Sequence, residues 1–419
     1  MRTPSRRSVL MTSLAAAGLM VPRGGRAAGV AERKFLFVFC PGGWDVCDAF
    51  APIFNSTTDH QPGDEAADVG GFRITDGAAR PSVRAFFEAW GSRTCLINGM
   101  QVPSVAHDVC TRLTMTGSAN EGHDDWASIV AGETTMDRPL PNVHISGPIF
   151  PMHYGQASVR VGVNGQLSRL LDGTALLRSD NVVPPVTSGR AALETAFVTS
   201  RVDRWARSVA AGQPARLAAA ETLALQRAAR LSSVSDDLMA IKPNLYNTLS
   251  IAVGAMAAGL SRSGMIAYGT GANGAWDSHS GNDYQQVLYE ELFEALGKVM
   301  EDLASTPGEV EPSLLDETTV VVLSEMGRTP QLNSAGGKDH WTWTSALFAG
   351  GAAAGGRTIG GWTEGLTGEP VDLASGDVFA GGTTIQPAHL GATILAMAGL
   401  DPAEFIDPDI GAPIEGAIG

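Results

Sequence analysis

The chain is 419 residues long, 44% hydrophobic and 17% charged, the balance of a folded globular protein able to bury a large core. Lys and Arg number 29 against 44 Asp and Glu, and the formal charge of −15 argues against a nucleic-acid binder, which needs a basic surface. The 50 glycines follow no period of three, which excludes a collagen-like chain.

Residues 1–31 carry five arginines and no acid. Ser5-Arg6-Arg7-Ser8-Val9-Leu10 is a twin-arginine signature, followed by an apolar run to Val21 and by the small residues Ala27, Ala28 and Ala31. The pattern predicts an export signal, a mature chain starting near residue 32, and a periplasmic or secreted protein that meets the twin-arginine export machinery. The apolar run is shorter than the roughly 20 residues of a membrane span. No later segment makes up that length, so the mature chain is expected to cross no membrane. The cysteines, Cys40, Cys47, Cys95 and Cys110, lack zinc-site spacing, and in an oxidising compartment one or two disulfides are open to them.

Phe35–Cys40 is a continuous apolar run, the mark of a strand buried on both faces. It leads through Pro41-Gly42-Gly43-Trp44 to Asp45. Residues 135–200, rich in Pro, Gly and polar residues, read as an irregular insertion, and Ala215–Ile241 as a helix. Gly264–Tyr268 is a second strand candidate, running towards Trp276-Asp277-Ser278-His279. The spacing over Tyr284–Leu303 predicts a helix with Val287, Leu288, Leu292, Leu296, Val299 and Leu303 on one side. Thr318–Leu323 is a third buried strand, ending in Ser324-Glu325-Met326-Gly327-Arg328, and Gly337-Lys338-Asp339-His340-Trp341 follows. Pro387–Leu400 closes the series as a short helix.

Buried strands alternating with helices predict an α/β fold, a three-layer αβα sandwich with a mostly parallel central sheet. Ligands gather at the carboxyl ends of such strands, where Asp45, Asp277 and Glu325 all fall. With His279, Asp339 and His340 they form a carboxylate and imidazole set suited to one or two divalent ions, Zn, Mn, Mg or Ca. Each piece also has a plain structural reading. Asp45 after two glycines fits a turn or helix cap, Asp339-His340 an ordinary hydrogen-bonded pair, and Arg328 an ion pair that holds a carboxylate.

Taken in order, GG-x-D, W-D-x-H, Val320–Pro330 and G-x-D-H resemble the exported proteins grouped as domain of unknown function 1501, in the alkaline phosphatase and sulfatase superfamily. The resemblance runs from about Lys34 to about Phe405 and implies one alkaline phosphatase-like domain over 32–419 with a two-metal site. It implies that Asp45 binds one metal, that Asp277 and His279 bind the other, that Glu325 and Met326 fill an Asp-His position, and that His340 with Asp339 completes the set. Two departures stand out. Met326 is a poor ligand for hard ions, and His107 occupies the position where a Cys, Ser or Thr nucleophile is expected, with Ser104, Thr111 and Cys110 nearby.

His107 is therefore a candidate metal ligand, acid–base group or nucleophile, and Arg328 a candidate for gripping an anionic oxygen. The expected function is exported, metal-dependent hydrolysis of phosphate or sulfate esters, with an anionic and in some cases carbohydrate-linked substrate. The alternative is a catalytically degenerate protein with a binding or assembly role.

Overall fold

In a computed structural model, residues 32–161, 188–209, 212–233, 244–269 and 276–419 are described. The leader, the centre of the expected insertion and the end of the expected Ala215–Ile241 helix lie outside them. In chain order the first elements are β1 (Lys34–Phe39), β2 (Glu65–Val69), β3 (Phe72–Asp76), α1 (Pro81–Trp90) and β4 (Thr94–Gln101). Then come α2 (His107–Thr116), α3 (Trp126–Gly132), β5 (Asn142–His144), β6 (Ser158–Arg160), α4 (Ser188–Ser208), α5 (Gly212–Ser233) and α6 (Leu245–Ala257). The rest are β7 (Ser263–Ala267), α7 (Tyr284–Ser305), α8 (Leu314–Glu317), β8 (Thr318–Leu323), β9 (Gly327–Arg328), β10 (His340–Trp341), β11 (Trp343–Gly350), β12 (Arg357–Ile359) and α9 (Pro387–Met397).

Eight strands form one sheet in the order β12-β4-β11-β8-β1-β7-β5-β6. Seven run the same way; β11 alone is antiparallel to its neighbours β4 and β8. β1 lies at the centre, parallel to β7 and β8, with Val38 paired to Ile266 and Val322. Its alternation explains the unbroken apolar run. Phe35, Phe37 and Phe39 pack with α2, α3 and α9 residues such as Met115, Trp126 and Leu390 on one face. Leu36 and Val38 pack with Phe86 of α1, Leu249 of α6 and Leu292 of α7 on the other. Each fully buried side chain of this kind contributes roughly 1.5–3 kcal/mol. The three-layer α/β architecture is therefore as expected.

Differences are local. Val287 is 45% exposed on α7 while Leu288, Leu292, Leu296, Val299 and Leu303 are buried, so the apolar stripe is narrower than the spacing suggests. All four cysteines are free and buried. No helix among the described residues is long and apolar enough to cross a membrane.

Candidate metal centre

Three loops at the carboxyl edge of the sheet press together because glycines allow it. Gly42, after β1, has φ 124°, and a Cβ there would lie 2.4 Å from Asp277 N. A Cβ on Gly337 would lie 2.1 Å from the carbonyl carbon of His279. The first contact sets the β1 loop against the Asp277 loop, and the second sets the segment carrying His340 against His279. His107 enters from the first turn of α2.

The side chains converge. His107, Asp277 and His340 each offer a ligand atom, all within 4.8 Å of one another. His279 Nε2 lies 2.9 Å from His340 Nε2 and 3.2 Å from Asp277 Oδ1. His340 Nε2 is also 3.2 Å from Asp277 Oδ1.

The opposite nitrogen of every ring is held by an acceptor. His107 Nδ1 faces Glu325 Oε1 at 2.9 Å, His279 Nδ1 faces Asp339 Oδ1 at 2.9 Å, and His340 Nδ1 faces the Val105 carbonyl at 2.7 Å. Carbonyls and carboxylates only accept, so each Nδ1 carries the hydrogen and each neutral ring turns an Nε2 lone pair inward. Two such lone pairs 2.9 Å apart repel unless a cation or a proton lies between them. His107 Nε2 is buried without a hydrogen-bond partner, although it lies 3.4 Å from Asp277 Oδ2. Three imidazoles and one carboxylate, oriented by hydrogen bonds behind them, fit a divalent metal ion.

Charge is tuned to match. The Glu325 hydrogen bond raises the His107 pKa above its ordinary value, against the opposing effect of burial. Burial alone would push the Asp277 carboxyl up, but Arg328, His340 and His107 outweigh it and hold the group below the usual range. Arg328 Nη2 reaches Asp277 Oδ1 at 2.5 Å. Its other donors reach the carbonyls of Gly42, Gly43 and Lys338, and the side chain has no exposure. Arg328 thus positions Asp277 from behind. The expectation that it grips a substrate oxygen is corrected, because every nitrogen is spent inside the protein.

Asp45 stands outside the group. Its Oδ2 is 2.8 Å from Lys338 Nζ and 2.7 Å from Asn282 Nδ2, and its Oδ1 caps a short 3-10 turn by accepting from Cys47 N. These contacts match the turn-and-cap reading of Asp45, which is not among the residues whose ligand atoms converge. Glu325 accepts from Gly42 N at 2.6 Å as well as facing His107, and Asp339 accepts from Asn333 as well as facing His279. Both meet the cluster through an imidazole. Met326 is buried in the apolar core.

Among the nucleophile candidates, Ser104 Oγ accepts from Ala106 N, and burial pushes the Cys110 thiol up to about 11. Trp341 Nε1 donates to the Leu366 carbonyl, a packing role. Sequence reasoning gave no role to Lys338, Asn282 or Gln285. Gln285 Oε1 accepts from Asp45 N at 2.5 Å, and its Nε2 reaches Trp276 O and Ser278 Oγ. Lys338 stands inside the quoted G-K-D-H segment, and a lysine beside two ligand candidates was the available signal.

Comparison with known proteins settles the family. Residues 32–416 match the family model described as protein of unknown function (DUF1501). The chain belongs to this family. No curated protein matches it. Among solved structures it is similar to a 2-O GAG sulfatase, at 10% identity and TM-score 0.37, over 92% of this chain and 75% of that one. A putative sulfatase from Bacteroides thetaiotaomicron VPI-5482 gives 10% identity and TM-score 0.36 over the same shares. A structure in complex with its substrate D-glucosamine-2-N,6-O-disulfate gives 12% identity and TM-score 0.33, over 92% of this chain and 79% of that one.

Proposed function

We propose that this DUF1501 chain is a metal-dependent hydrolase of sulfate or phosphate esters. The observation that carries the reading is the meeting of His107, Asp277 and His340, with His279 Nε2 2.9 Å from His340 Nε2 and each ring already held at Nδ1. A bound divalent ion supplies Lewis acidity that polarises the ester and offsets the charge developing on its oxygens. The chain's own groups keep that centre in shape. Arg328 fixes Asp277, Glu325 fixes His107, and Asp339 fixes His279. His279 and Asp339, with side chains 48% and 59% exposed, form the open side from which an anionic substrate arrives.

Burial pushes the Cys110 thiol up and Ser104 Oγ accepts from Ala106 N, and the proposal takes water as the nucleophile. Its oxygen bonds to sulfur or phosphorus, the ester S–O or P–O bond breaks, and the alcohol leaves with a proton. Aryl sulfates, aryl phosphates and sulfated or phosphorylated sugars, assayed with Zn²⁺ and Mn²⁺, test this reading. Turnover that a chelator and Asp277→Ala both abolish is the expected result. A metal-loaded protein inert on the whole panel overturns it in favour of the binding or assembly role, which the burial of Met326 favours.

The same proposal places the protein in the periplasm or outside the cell, on the strength of Arg6-Arg7 and the apolar run behind them. Replacing both arginines by lysine is expected to leave the protein in the cytoplasmic fraction. Unchanged export would contradict that route.

A further inference from the structure

Asp45 and Glu325 are both buried at the carboxyl edge of the sheet, and an acidic edge of this kind invites a second cation beside the first. Their partners tell against one. The Asp45 carboxylate receives Lys338 Nζ, Asn282 Nδ2 and Cys47 N. Glu325 Oε1 receives Gly42 N and faces His107 Nδ1, while Oε2 lies 3.3 Å from Ser324 Oγ. Lys338 is itself 1% exposed, and its ammonium also reaches the Asp59 carbonyl at 2.8 Å.

We infer that the centre is built for a single ion of the imidazole-preferring transition-metal class, and that the Lys338 ammonium takes the place of a second cation by neutralising Asp45 from within the chain. The inference rests on the metal-centre reading above and adds to it an ion count, an ion class and a role for Lys338.

Charge balance supports the count. Asp45, Asp277 and Glu325 face two buried cations, Lys338 and Arg328. One divalent ion turns a single net negative charge on these five groups into a single net positive one, whereas a second would leave three positive charges in excess in a largely buried region. Asp48 lies beside Asp45 in the same buried region. Its carboxyl oxygens are buried without partners, and burial together with the Asp45 charge pushes its pKa well up. Donor chemistry supports the class. Imidazole nitrogens with one carboxylate suit Zn²⁺, while Ca²⁺ takes six to eight oxygen ligands.

Native mass spectrometry with elemental analysis of the full chain, reloaded with Zn²⁺ or with Ca²⁺, tests the inference. One Zn²⁺ per chain is expected, not displaced by excess Ca²⁺. The double variant Asp45→Asn/Lys338→Met removes both charges of the buried pair and keeps similar volumes. It is expected to hold one Zn²⁺ with affinity changed less than about 10-fold, below the range for losing a group that orients a ligand. Two ions on the wild type, displacement by Ca²⁺, or a folded double variant that has lost its ion would each overturn the inference. If that variant does not fold, the wild-type count and the Ca²⁺ competition still decide. A wild-type chain that binds no divalent ion removes the centre itself, a separate failure from a wrong count.

Discussion

Two polar regions adjoin at the edge of the sheet and differ in one respect. Around Asp45, each strong donor meets a protein acceptor: Lys338, Asn282, Gln285 and Ser278 close a buried network that links the β1 loop, the Asp277 loop and the Lys338 segment. Around His107, His279 and His340, the outward nitrogens are equally well held, but the inward ones point at one another and at Asp277. The first region uses charge to fix backbone. The second turns its inward nitrogens on one another and on Asp277, the arrangement on which the proposed metal site rests. Saturation of hydrogen bonds, more than residue type, separates a scaffold carboxylate from a ligand.

Substitutions on the two sides sharpen that contrast. The largest effect is expected from His340→Ala, which removes an imidazole from the convergence and abolishes stoichiometric metal binding with the fold retained. Metal content and circular dichroism check it together. Lys338→Ala breaks the scaffold instead. It leaves Asp45 buried beside a vanished ammonium and is expected to cost about 3–5 kcal/mol of stability, read by denaturant unfolding. Between them lies Glu325→Gln. It removes the charge behind His107 Nδ1 while leaving an amide oxygen able to accept there, and metal affinity is expected to fall about 10- to 100-fold. Titration with a chromogenic chelator measures that change, and no change would mean the Glu325 charge does not support the ring.

β1 offers a control at its other end. Lys34 Nζ lies 2.5 Å from Glu317 Oε2, again in a buried pair. Burial raises the Glu317 pKa, but Lys34 and the backbone N–H groups of Val310 and Glu311 outweigh it and bring it from 4.5 to about 2. A folded pKa below the unfolded one means the contribution is complete above about pH 4.5 and is lost as pH falls towards 2. Glu317→Gln is therefore expected to flatten the loss of stability across that window, with metal binding at neutral pH unchanged. The smallest effect is expected from Val287→Lys on the exposed side of α7, within about 0.5 kcal/mol of wild type.

What sequence made legible follows from these contacts. β1 and β8 stand out because both faces are buried, so apolar residues run without a gap. β4 and β11 escape notice because Asn98 and Gly99 interrupt one and small residues dilute the other, although Asn98 is satisfied by Ser345 across the pair. Asp277 and His279 are readable from the W-D-x-H piece and His340 from G-x-D-H, and His107 from the nucleophile position that the resemblance assigns it. Asp45 looks like the best ligand of all. Its true partner, Lys338, lies on a distant segment, and no local pattern reveals that the two are paired. Asp339 and Glu325 carry the right chemistry one bond further out, because sequence spacing cannot say which side of an imidazole a carboxylate will meet.

The central claim is that His107, His279, His340 and Asp277 share one ion. Anomalous diffraction at the zinc edge, on crystals of the Zn²⁺-loaded wild type, tests it most directly. The account predicts a single peak within about 2.0–2.2 Å of the three Nε2 atoms and an Asp277 oxygen. A peak beside Asp45, or none among these four side chains in protein shown to carry zinc, would contradict it.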